Sequence, residues 1–346
     1  MSENIKRCRI CVLSESFPGI SFDKEGICSY CNSFHEDRNS SASLAKCKMQ
    51  LDELIRKNKA ASRDYDAVIA YSGGKDSTYL LKLLVEKYAL NPLAVTFDNG
   101  FLSSRTWVNI SNVINYLNVD WVNYRLKPRL MNRIITTCMD KEIYPEYLTK
   151  YGSPICISCI RLIYNFAIRL AIEKRINLIF IGNSPGQMLC SDNEIIYRDN
   201  KIPFQLRRNL YKPLADEIGE DIYRYFMIDK DEYKDKCFPY IVNPYPVIGY
   251  DEKMIYSEIS MMGWKKPNDV DPTSTNCVLN LLGIVEHYKK YNFHPYEYEI
   301  SLLVRKRIIS RDDALKRVEI NPDTLSKEAE DIARKIRLAG CAGFAV

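Results

Sequence analysis

The sequence predicts an α/β protein built on a doubly wound parallel sheet. Short runs of strand-forming residues, such as DAVIAY (66–71) and PLAVTFD (92–98), alternate with longer runs such as STYLLKLLVEKYA (77–89). The short runs are almost continuously apolar, as buried strands are, whereas apolar residues in the longer runs recur at helical spacing. Strands that alternate with helices indicate crossover connections, and these place parallel strands in one sheet with helices on both faces.

The same alternation sets the remaining elements and the domain boundaries. We expect helices over 44–57, 106–117 and 160–174, and strands over 120–124 and 176–183. The predicted organisation is a Cys-rich module (1–35), a helical linker (36–64), the α/β domain (65–240) and a mostly helical C-terminal region that serves the substrate or a partner (241–346).

The composition indicates a soluble globular protein of about two domains. The chain has 346 residues, of which 46% are hydrophobic and 27% charged, and this length exceeds that of one typical domain. The net charge of +5 suits anionic ligands such as nucleotides but is too small to indicate nucleic-acid binding. No apolar run reaches the ~18 residues of a membrane-spanning helix, and the N-terminus lacks a signal-like apolar segment. We therefore expect a cytoplasmic protein without membrane contact.

The segment SGGKDS (72–77) lies where the first predicted strand ends and a helix begins. Ligands of open α/β sheets bind beyond the carboxyl ends of the strands. Glycines let backbone N–H groups converge, the N-terminus of the following helix favours an anion, and the serines and the lysine add donors. The segment is therefore predicted to hold phosphate, although it lacks the Walker A spacing G-x-x-x-x-G-K-S/T.

In this strand–turn–helix context, the motif S-G-G-K-D-S resembles the signature of the PP-loop ATP pyrophosphatases, which have an adenine nucleotide alpha hydrolase-like fold. That family splits ATP between the α- and β-phosphates, adenylates a carbonyl or amide oxygen, and lets a nucleophile displace AMP. The resemblance implies catalytic roles for Lys75, Asp76 and Ser77. It implies that pyrophosphate and Mg²⁺ are held by the whole loop, which comprises Ser72, Gly73, Gly74, Lys75, Asp76 and Ser77.

The resemblance also implies nucleotide contacts from two later loops. TFDNG (96–100) corresponds to the family's second strand end, near the adenine and ribose, and contributes Asp98 and Asn99. GNSPGQ (182–187) corresponds to a further nucleotide-side loop and contributes Gly182 and Asn183. Many tRNA-modifying members carry an acidic form of this second loop, and its absence here disfavours a tRNA substrate.

Two C-x-x-C pairs lie near the N-terminus, separated by sixteen residues. Thiols in the cytosol stay reduced, so the twelve cysteines are not expected to form disulfides. Four thiolates on two such turns match the tetrahedral preference of zinc. Cys8, Cys11, Cys28 and Cys31 are therefore predicted to form a zinc ribbon with a closed, structural Zn²⁺ site, and the alternative is four buried free thiols.

The ribbon segment CRICVLSESFPGISFDKEGICSYC (8–31) resembles the N-terminal ribbon of the N-acetyl sugar amidotransferases of surface-polysaccharide and nonulosonic-acid biosynthesis. That family also carries a PP-loop, and it converts an acetamido group on a sugar into an acetamidino group. The resemblance implies an N-acetyl sugar substrate. It also implies a separate glutaminase subunit as the source of ammonia, because this chain shows no Cys–His–Glu glutaminase arrangement. A homodimer is a further expectation.

A third cysteine set resembles the layout of the iron–sulfur tRNA thiolases of the same superfamily. Cys156 and Cys159 lie in PICISCIRL, and Cys237 follows YKPL (211–214). In those thiolases three cysteines hold a [4Fe-4S] cluster with one iron left open, and the resemblance implies the same role here. Two alternatives stay open: isolated buried thiols, which are common, or a redox or persulfide-carrying pair at Cys156 and Cys159. Cys277 is a further thiol expected near the site.

The patterns support three functional hypotheses. The first is an ATP-dependent amidotransferase that releases AMP and pyrophosphate while it replaces the acetamido oxygen of an N-acetyl sugar with nitrogen. The second is a [4Fe-4S]-dependent sulfurtransferase or desulfurase that acts on tRNA or a small metabolite. The third is a binding module with a relic nucleotide fold, which the intact SGGKDS loop disfavours.

Overall fold

The computed structural model describes residues 5–34, 41–61, 64–187, 195–319 and 322–341. One sheet is formed by β1 Ala67–Ala70, β2 Pro92–Asp98, β3 Trp121–Arg125, β4 Leu178–Phe180, β5 Ile196–Tyr197 and β6 Tyr240–Val242. The helices are α1 Ser29–Asn32, α2 Ser41–Ala61, α3 Lys75–Lys82, α4 Ser104–Leu117, α5 Pro128–Asp140, α6 Glu146–Thr149, α7 Pro154–Lys174, α8 Phe204–Ile218, α9 Tyr223–Phe226, α10 Tyr245–Ile248, α11 Glu252–Ser260, α12 Leu279–Tyr291, α13 Glu297–Arg305, α14 Arg311–Val318 and α15 Pro322–Cys341.

The sheet confirms the predicted doubly wound α/β class. Its strand order is β3-β2-β1-β4-β6-β5. All neighbouring strands are parallel except β5, which pairs antiparallel with β6 at one edge. The chain first moves outward from β1 to β3 and then returns to the other side of β1 with β4. A crevice at such a reversal is the usual ligand site of this architecture, and the segment 72–77 follows β1 at this point.

Alternate residues of the strands fill cores on opposite faces of the sheet. Ile69 of β1 packs with Leu80 of α3 and Ile110 of α4. Its neighbour Val68 packs on the other face with Ala167 of α7. A parallel strand that is covered on both faces needs apolar residues at nearly every position, which explains the continuously apolar runs in the sequence.

Helix α7 begins six residues before the predicted start at 160. The Ser153 side chain caps it by accepting a hydrogen bond from Cys156 N at 3.2 Å, and Pro154 occupies the first helical position. By length and composition alone, α7 could span a bilayer. Its buried residues, including Ala167 and Ile172, pack against the sheet, so its apolar character is that of a core helix.

The N-terminal Cys-rich module packs against the C-terminal helices. Phe17 contacts Phe293 with ring centroids 5.3 Å apart. At the start of α13, the fully buried Glu297 carboxylate accepts hydrogen bonds from Ser14 N (2.9 Å) and Ser14 Oγ (2.8 Å) and pairs with Arg7 at 2.7 Å. These partners neutralise a charge that would otherwise be costly to bury, and they tie the module to α13.

Strands β5 and β6 are absent from the sequence-based prediction. Each has two or three residues, and β6 lies in PYIVNPYP, where prolines interrupt any longer pattern. Strand β6 exists because Tyr240–Val242 pairs with β4, and a tertiary contact of this kind leaves no local periodicity to read. The strand straddles the predicted domain boundary at residue 240.

Candidate active site

The segment 72–77 forms a tight loop between β1 and α3. Gly73 has a φ of +74°, and a Cβ at this position would lie 2.8 Å from side-chain atoms of Ile110 and Thr106, so the position favours glycine. Gly74 is the N-cap of α3. Trp264 Nε1 donates a hydrogen bond to the Gly73 carbonyl at 2.9 Å and fixes the turn. The loop thus presents the N-terminus of α3 at the carboxyl end of β1, where backbone N–H groups stabilise an anion.

The two serine hydroxyls of this loop lie side by side. Ser72 Oγ is 3.1 Å from Ser77 Oγ, and Ser72 N donates a hydrogen bond to Ser77 Oγ at 3.2 Å. Ser77 Oγ in turn contacts the Gly74 carbonyl at 3.2 Å. These contacts hold both hydroxyls on the inside of the turn. A phosphate oxygen there would accept charge-assisted hydrogen bonds from them, which are stronger than the neutral contacts within the loop.

A loop of the C-terminal region closes over the phosphate loop, which the sequence analysis does not predict. Lys75 N donates a hydrogen bond to Thr275 Oγ1 at 3.2 Å, and Asn276 Nδ2 donates one to the Ser72 carbonyl at 3.1 Å. The partners are separated by 200 and 204 positions in the chain. The polar run PTSTNC (272–277) is a signal for an ordered turn, but its local pattern does not reveal the partner.

Lys75 is held as a buried cation among acidic and phenolic oxygens. Its Nζ lies 2.7 Å from Asp76 Oδ2, 2.9 Å from Tyr250 OH and 3.5 Å from Glu252 Oε1. Burial by itself lowers the pKa of Lys75, but the Asp76 and Glu252 carboxylates outweigh it, and the net pKa is raised. Lys75 therefore carries a full positive charge at neutral pH, which is suited to a phosphate oxygen.

Glu252 links this lysine to Arg317 of α14. The Arg317 guanidinium binds both Glu252 oxygens, at 2.6 and 3.1 Å. Burial raises the pKa of Glu252, but Arg317 and Lys75 outweigh that effect and lower the pKa overall. The carboxylate is thus ionised and committed to two cations, one of which comes from the C-terminal region.

The phosphate loop opens into a cavity of about 470 Å³. This volume lies within the ~300–1,000 Å³ of small-molecule sites. The predicted nucleotide-side residues Asn99, Gly182 and Asn183 line it, together with residues of the C-terminal region. Asp98 is placed differently: its Oδ1 accepts a hydrogen bond from Gly100 N at 2.7 Å and shapes the turn after β2.

Three thiols also line this cavity, and they are not the three that the sequence analysis groups together. Cys156 and Cys159 of α7 face the cavity, and the third thiol is Cys277. The Asn99 side chain donates a hydrogen bond to Cys277 Sγ at 3.3 Å and also interacts with the Cys159 thiol. The three thiols therefore converge on one wall beside the phosphate loop.

The predicted third ligand, Cys237, requires correction. Cys237 is exposed and precedes β6, which runs parallel to β4 and β1. The phosphate loop follows the carboxyl end of β1. Cys237 precedes β6 and therefore lies toward the amino ends of the strands, on the opposite side from the phosphate loop. The structure does not bring Cys237 to Cys156 and Cys159, because the placement of β6 is a tertiary feature that the spacing to YKPL does not encode.

Glu299 is a cavity residue that the sequence analysis misses. It belongs to α13, and its Oε1 accepts a hydrogen bond from Ser184 Oγ at 3.0 Å. The helix is pressed against the loop 182–187, since a Cβ at Gly186 would come within 2.5 Å of the Glu299 carbonyl oxygen. Burial raises the pKa of Glu299 to about 7, against the opposing effect of the Ser184 hydrogen bond.

The four N-terminal cysteines converge as predicted. Their Sγ atoms all lie within 4.8 Å of one another, with Cys8 and Cys31 at 3.8 Å and Cys11 and Cys28 at 3.7 Å. A tetrahedral ion with metal–sulfur bonds of about 2.3 Å requires Sγ separations of about 3.8 Å. The four thiols are therefore spaced so that together they could hold one tetrahedral metal ion.

No protein-family profile matches the sequence. An uncharacterised protein of Methanocaldococcus jannaschii is 26% identical over 330 residues, which cover 95% of this chain and 98% of that protein. Similar solved structures include a U34-tRNA thiolase from Methanococcus maripaludis with its [4Fe-4S] cluster, at 14% identity and a TM-score of 0.34, covering 97% of this chain and 89% of that one.

Two further solved structures are similar to a comparable degree. A phosphoadenylyl-sulfate reductase from Candida auris, in a phosphate complex, has 13% identity and a TM-score of 0.32, with 66% of this chain and 88% of that one covered. An NMN synthetase from Francisella tularensis has 10% identity and a TM-score of 0.30, with 72% and 93% covered. TM-scores of this size do not establish a shared fold, so the site is interpreted from its own geometry.

Proposed function

We propose that this protein is an ATP-dependent amidotransferase that adenylates the acetamido oxygen of an N-acetyl sugar and replaces it with nitrogen. The observation that carries the proposal is the phosphate loop, with its charged Lys75, in the lining of a cavity of about 470 Å³ that residues of the C-terminal region complete. The resemblance of the loop to the PP-loop ATP pyrophosphatases, and of the Cys-rich module to the sugar amidotransferases, supplies the reaction and the substrate class.

The chemistry proceeds in two steps that balance. The amide oxygen attacks the α-phosphorus of ATP, the bond from that phosphorus to the oxygen bridging the α- and β-phosphates breaks, and pyrophosphate leaves. Mg²⁺ bound to the phosphates would neutralise part of the charge. Ammonia then attacks the activated carbon, a proton is lost, and the carbon–oxygen bond breaks to release AMP. Lys75 and the N-terminus of α3 would stabilise the charge that develops on the departing pyrophosphate. The ammonia would come from a separate glutaminase subunit.

We assign zinc to the four-cysteine site. Sγ separations of 3.7 and 3.8 Å suit one tetrahedral ion. All four ligand positions are filled by protein, so zinc there would stabilise the fold and take no part in the reaction. Arg311 supports the site from α14 by donating hydrogen bonds to the carbonyls of Cys8 and Cys11.

The proposal is tested by following AMP and pyrophosphate release with ATP, Mg²⁺, an ammonium salt and a panel of free and nucleotide-linked acetamido sugars. We expect release that depends on one acetamido sugar. Lys75→Ala should reduce it by about 10²–10³-fold, because one charge on the leaving pyrophosphate is lost. Lys82→Ala is a matched control, since Lys82 lies on the same helix but pairs with Glu86 and Glu258. The proposal would be rejected if none of the acetamido sugars in the panel caused the wild-type protein to release AMP and pyrophosphate.

Sulfur transfer is the second candidate, and the three thiols at the cavity favour it. Burial raises the pKa of Cys277 to about 11 and also raises that of Cys156 and of Cys159, so without a metal all three would stay protonated. Among the described residues, only the N-terminal set brings three or more ligand atoms within 4.8 Å. The cavity thiols are thus spaced too widely for one small ion. Three thiolates can instead hold a [4Fe-4S] cluster, which would carry sulfur.

This candidate is decided by anaerobic purification followed by counts of iron, acid-labile sulfide and zinc per chain. A cluster would give about four iron atoms, and Cys277→Ser should lose them while Cys237→Ser keeps them, because only Cys277 shares the cavity. An iron-free wild-type protein would reject sulfur transfer by such a cluster. Iron loss in Cys237→Ser alone would overturn the ligand set.

A further inference from the structure

The carboxylates of the cavity fall into two kinds. Among the described residues that line it, Asp76, Glu252 and Glu299 are acidic. Asp76 pairs with Lys75, and Glu252 pairs with both Lys75 and Arg317. Glu299 has no cationic partner within salt-bridge distance among the described residues, and its hydrogen-bond donors are the neutral Ser184 and Gln187. It is therefore the cavity carboxylate that is free to accept a proton.

The surroundings of Glu299 make it a base of useful strength. Burial disfavours its charged form, and the Asp76 carboxylate acts in the same direction. Lys75, Ser184 and Gln187 act against them, and the balance raises the pKa of Glu299 to about 7. Tyr296, the N-cap residue of α13, stays protonated, because burial raises its pKa well above the usual value. A general base works best when its pKa lies near the working pH.

Among the described residues, no histidine, the usual general base, lines this cavity. His287 and His294 are buried, and neither lines the cavity. Burial lowers the pKa of each to about 3. His294 Nδ1 accepts a hydrogen bond from Tyr296 N at 3.2 Å and so serves the start of α13. Among the described residues of the cavity wall, Glu299 is thus the carboxylate without a cationic partner.

We propose that Glu299 is the general base that takes the proton from the attacking ammonia, an assignment that rests on the proposed amidotransferase function. As the nitrogen forms its bond to the activated carbon it becomes positively charged, and one N–H proton moves to a Glu299 oxygen. The lone pair that this leaves on nitrogen forms the second bond to carbon, and the carbon–oxygen electron pair departs with AMP. Glu299 then releases the proton to solvent.

The test separates the two half-reactions in Glu299→Gln, which keeps the side-chain shape and an oxygen for Ser184. Exchange of labelled pyrophosphate into ATP, with the sugar present and ammonia absent, reports adenylation and should stay close to wild type. Amidine formation should fall by about 10²–10⁴-fold, the usual contribution of a general base. At constant free ammonia, the wild-type rate should rise with pH through about 7 as Glu299 loses its proton, and the variant should lack this rise.

Two further variants keep the result interpretable. Ser184→Ala removes a hydrogen bond that favours the charged carboxylate, so the rise in rate should move to higher pH. Glu86→Gln is the control, because this exposed carboxylate pairs with Lys82 and does not line the cavity, and it should keep the rise at about 7.

Equal loss of exchange and amidine formation in Glu299→Gln, or an unchanged pH profile, would overturn the role of Glu299. A wild-type protein without sugar-dependent exchange would instead reject the proposed function, so the two failures are distinguishable.

Discussion

At the scale of single residues, the phosphate loop depends on positions that each favour one type of residue. Gly73 combines a positive φ with close packing against α4, and Lys75 combines burial with two carboxylate neighbours. The motif S-G-G-K-D-S could be recognised from the sequence because its six residues are contiguous, whereas its contacts with α4 and Glu252 are tertiary and could not be predicted. The place of Glu299 in the cavity could not be predicted, because the local sequence of a single glutamate in an amphipathic helix is typical of a solvated residue. Its burial depends on the loop 182–187, which packs against α13.

Gly73→Ala tests the packing of this loop. The new Cβ would lie 2.8 Å from atoms of Ile110 and Thr106, so we expect the free energy of unfolding to fall by about 1–3 kcal/mol in urea titrations. Gly19→Ala is the control, because Gly19 has a similar φ of +71° but no atom within 4 Å of the added Cβ. Equal losses in the two variants would show that α4 does not constrain the loop.

At the scale of elements, α13 connects the N-terminal Cys-rich module to the cavity. Its first residue, Glu297, binds Ser14 and Arg7 of the module, while Glu299 two positions later faces the cavity. The module therefore supports the helix that carries the proposed base. The sequence predicts the module from its cysteine spacing, but the docking of the module on α13 joins residues 283 and 290 positions apart, and local patterns do not report such pairs.

Glu297→Ala tests this connection. The change leaves the Arg7 guanidinium and the Ser14 N–H without their buried partner, so the free energy of unfolding should fall by about 3–5 kcal/mol. Asp52→Ala is the control, because the Lys48–Asp52 pair is exposed on both sides and exposed pairs contribute little. A Glu297→Ala variant as stable as the wild type would contradict the connection.

Removal of the metal proposed for the four-cysteine site with a chelator should lower the melting temperature of the wild type, because a metal bound there would stabilise the module.

At the scale of the whole molecule, the site is assembled from parts that are distant in sequence. The sheet supplies the phosphate loop and the loops after β2 and β4, whereas the C-terminal region supplies Thr275, Asn276, Glu299 and Arg317. The parallel sheet could be predicted because alternating periodicities are local, whereas the order of its strands is a tertiary feature that the sequence analysis does not give. Cys277 was expected near the site, but the absence of Cys237 from it could not be predicted, because that depends on where β6 joins the sheet.

The fate of the acetamido oxygen tests the central claim most directly. An acetamido sugar labelled with oxygen-18 at the carbonyl is incubated with ATP, Mg²⁺ and ammonia, and the AMP and the sugar are analysed by mass spectrometry. Adenylation of the amide oxygen predicts that the label appears in the phosphate of AMP and that the sugar gains nitrogen in its place. AMP without the label, or a nitrogen-containing sugar product that retains the label, would contradict the account.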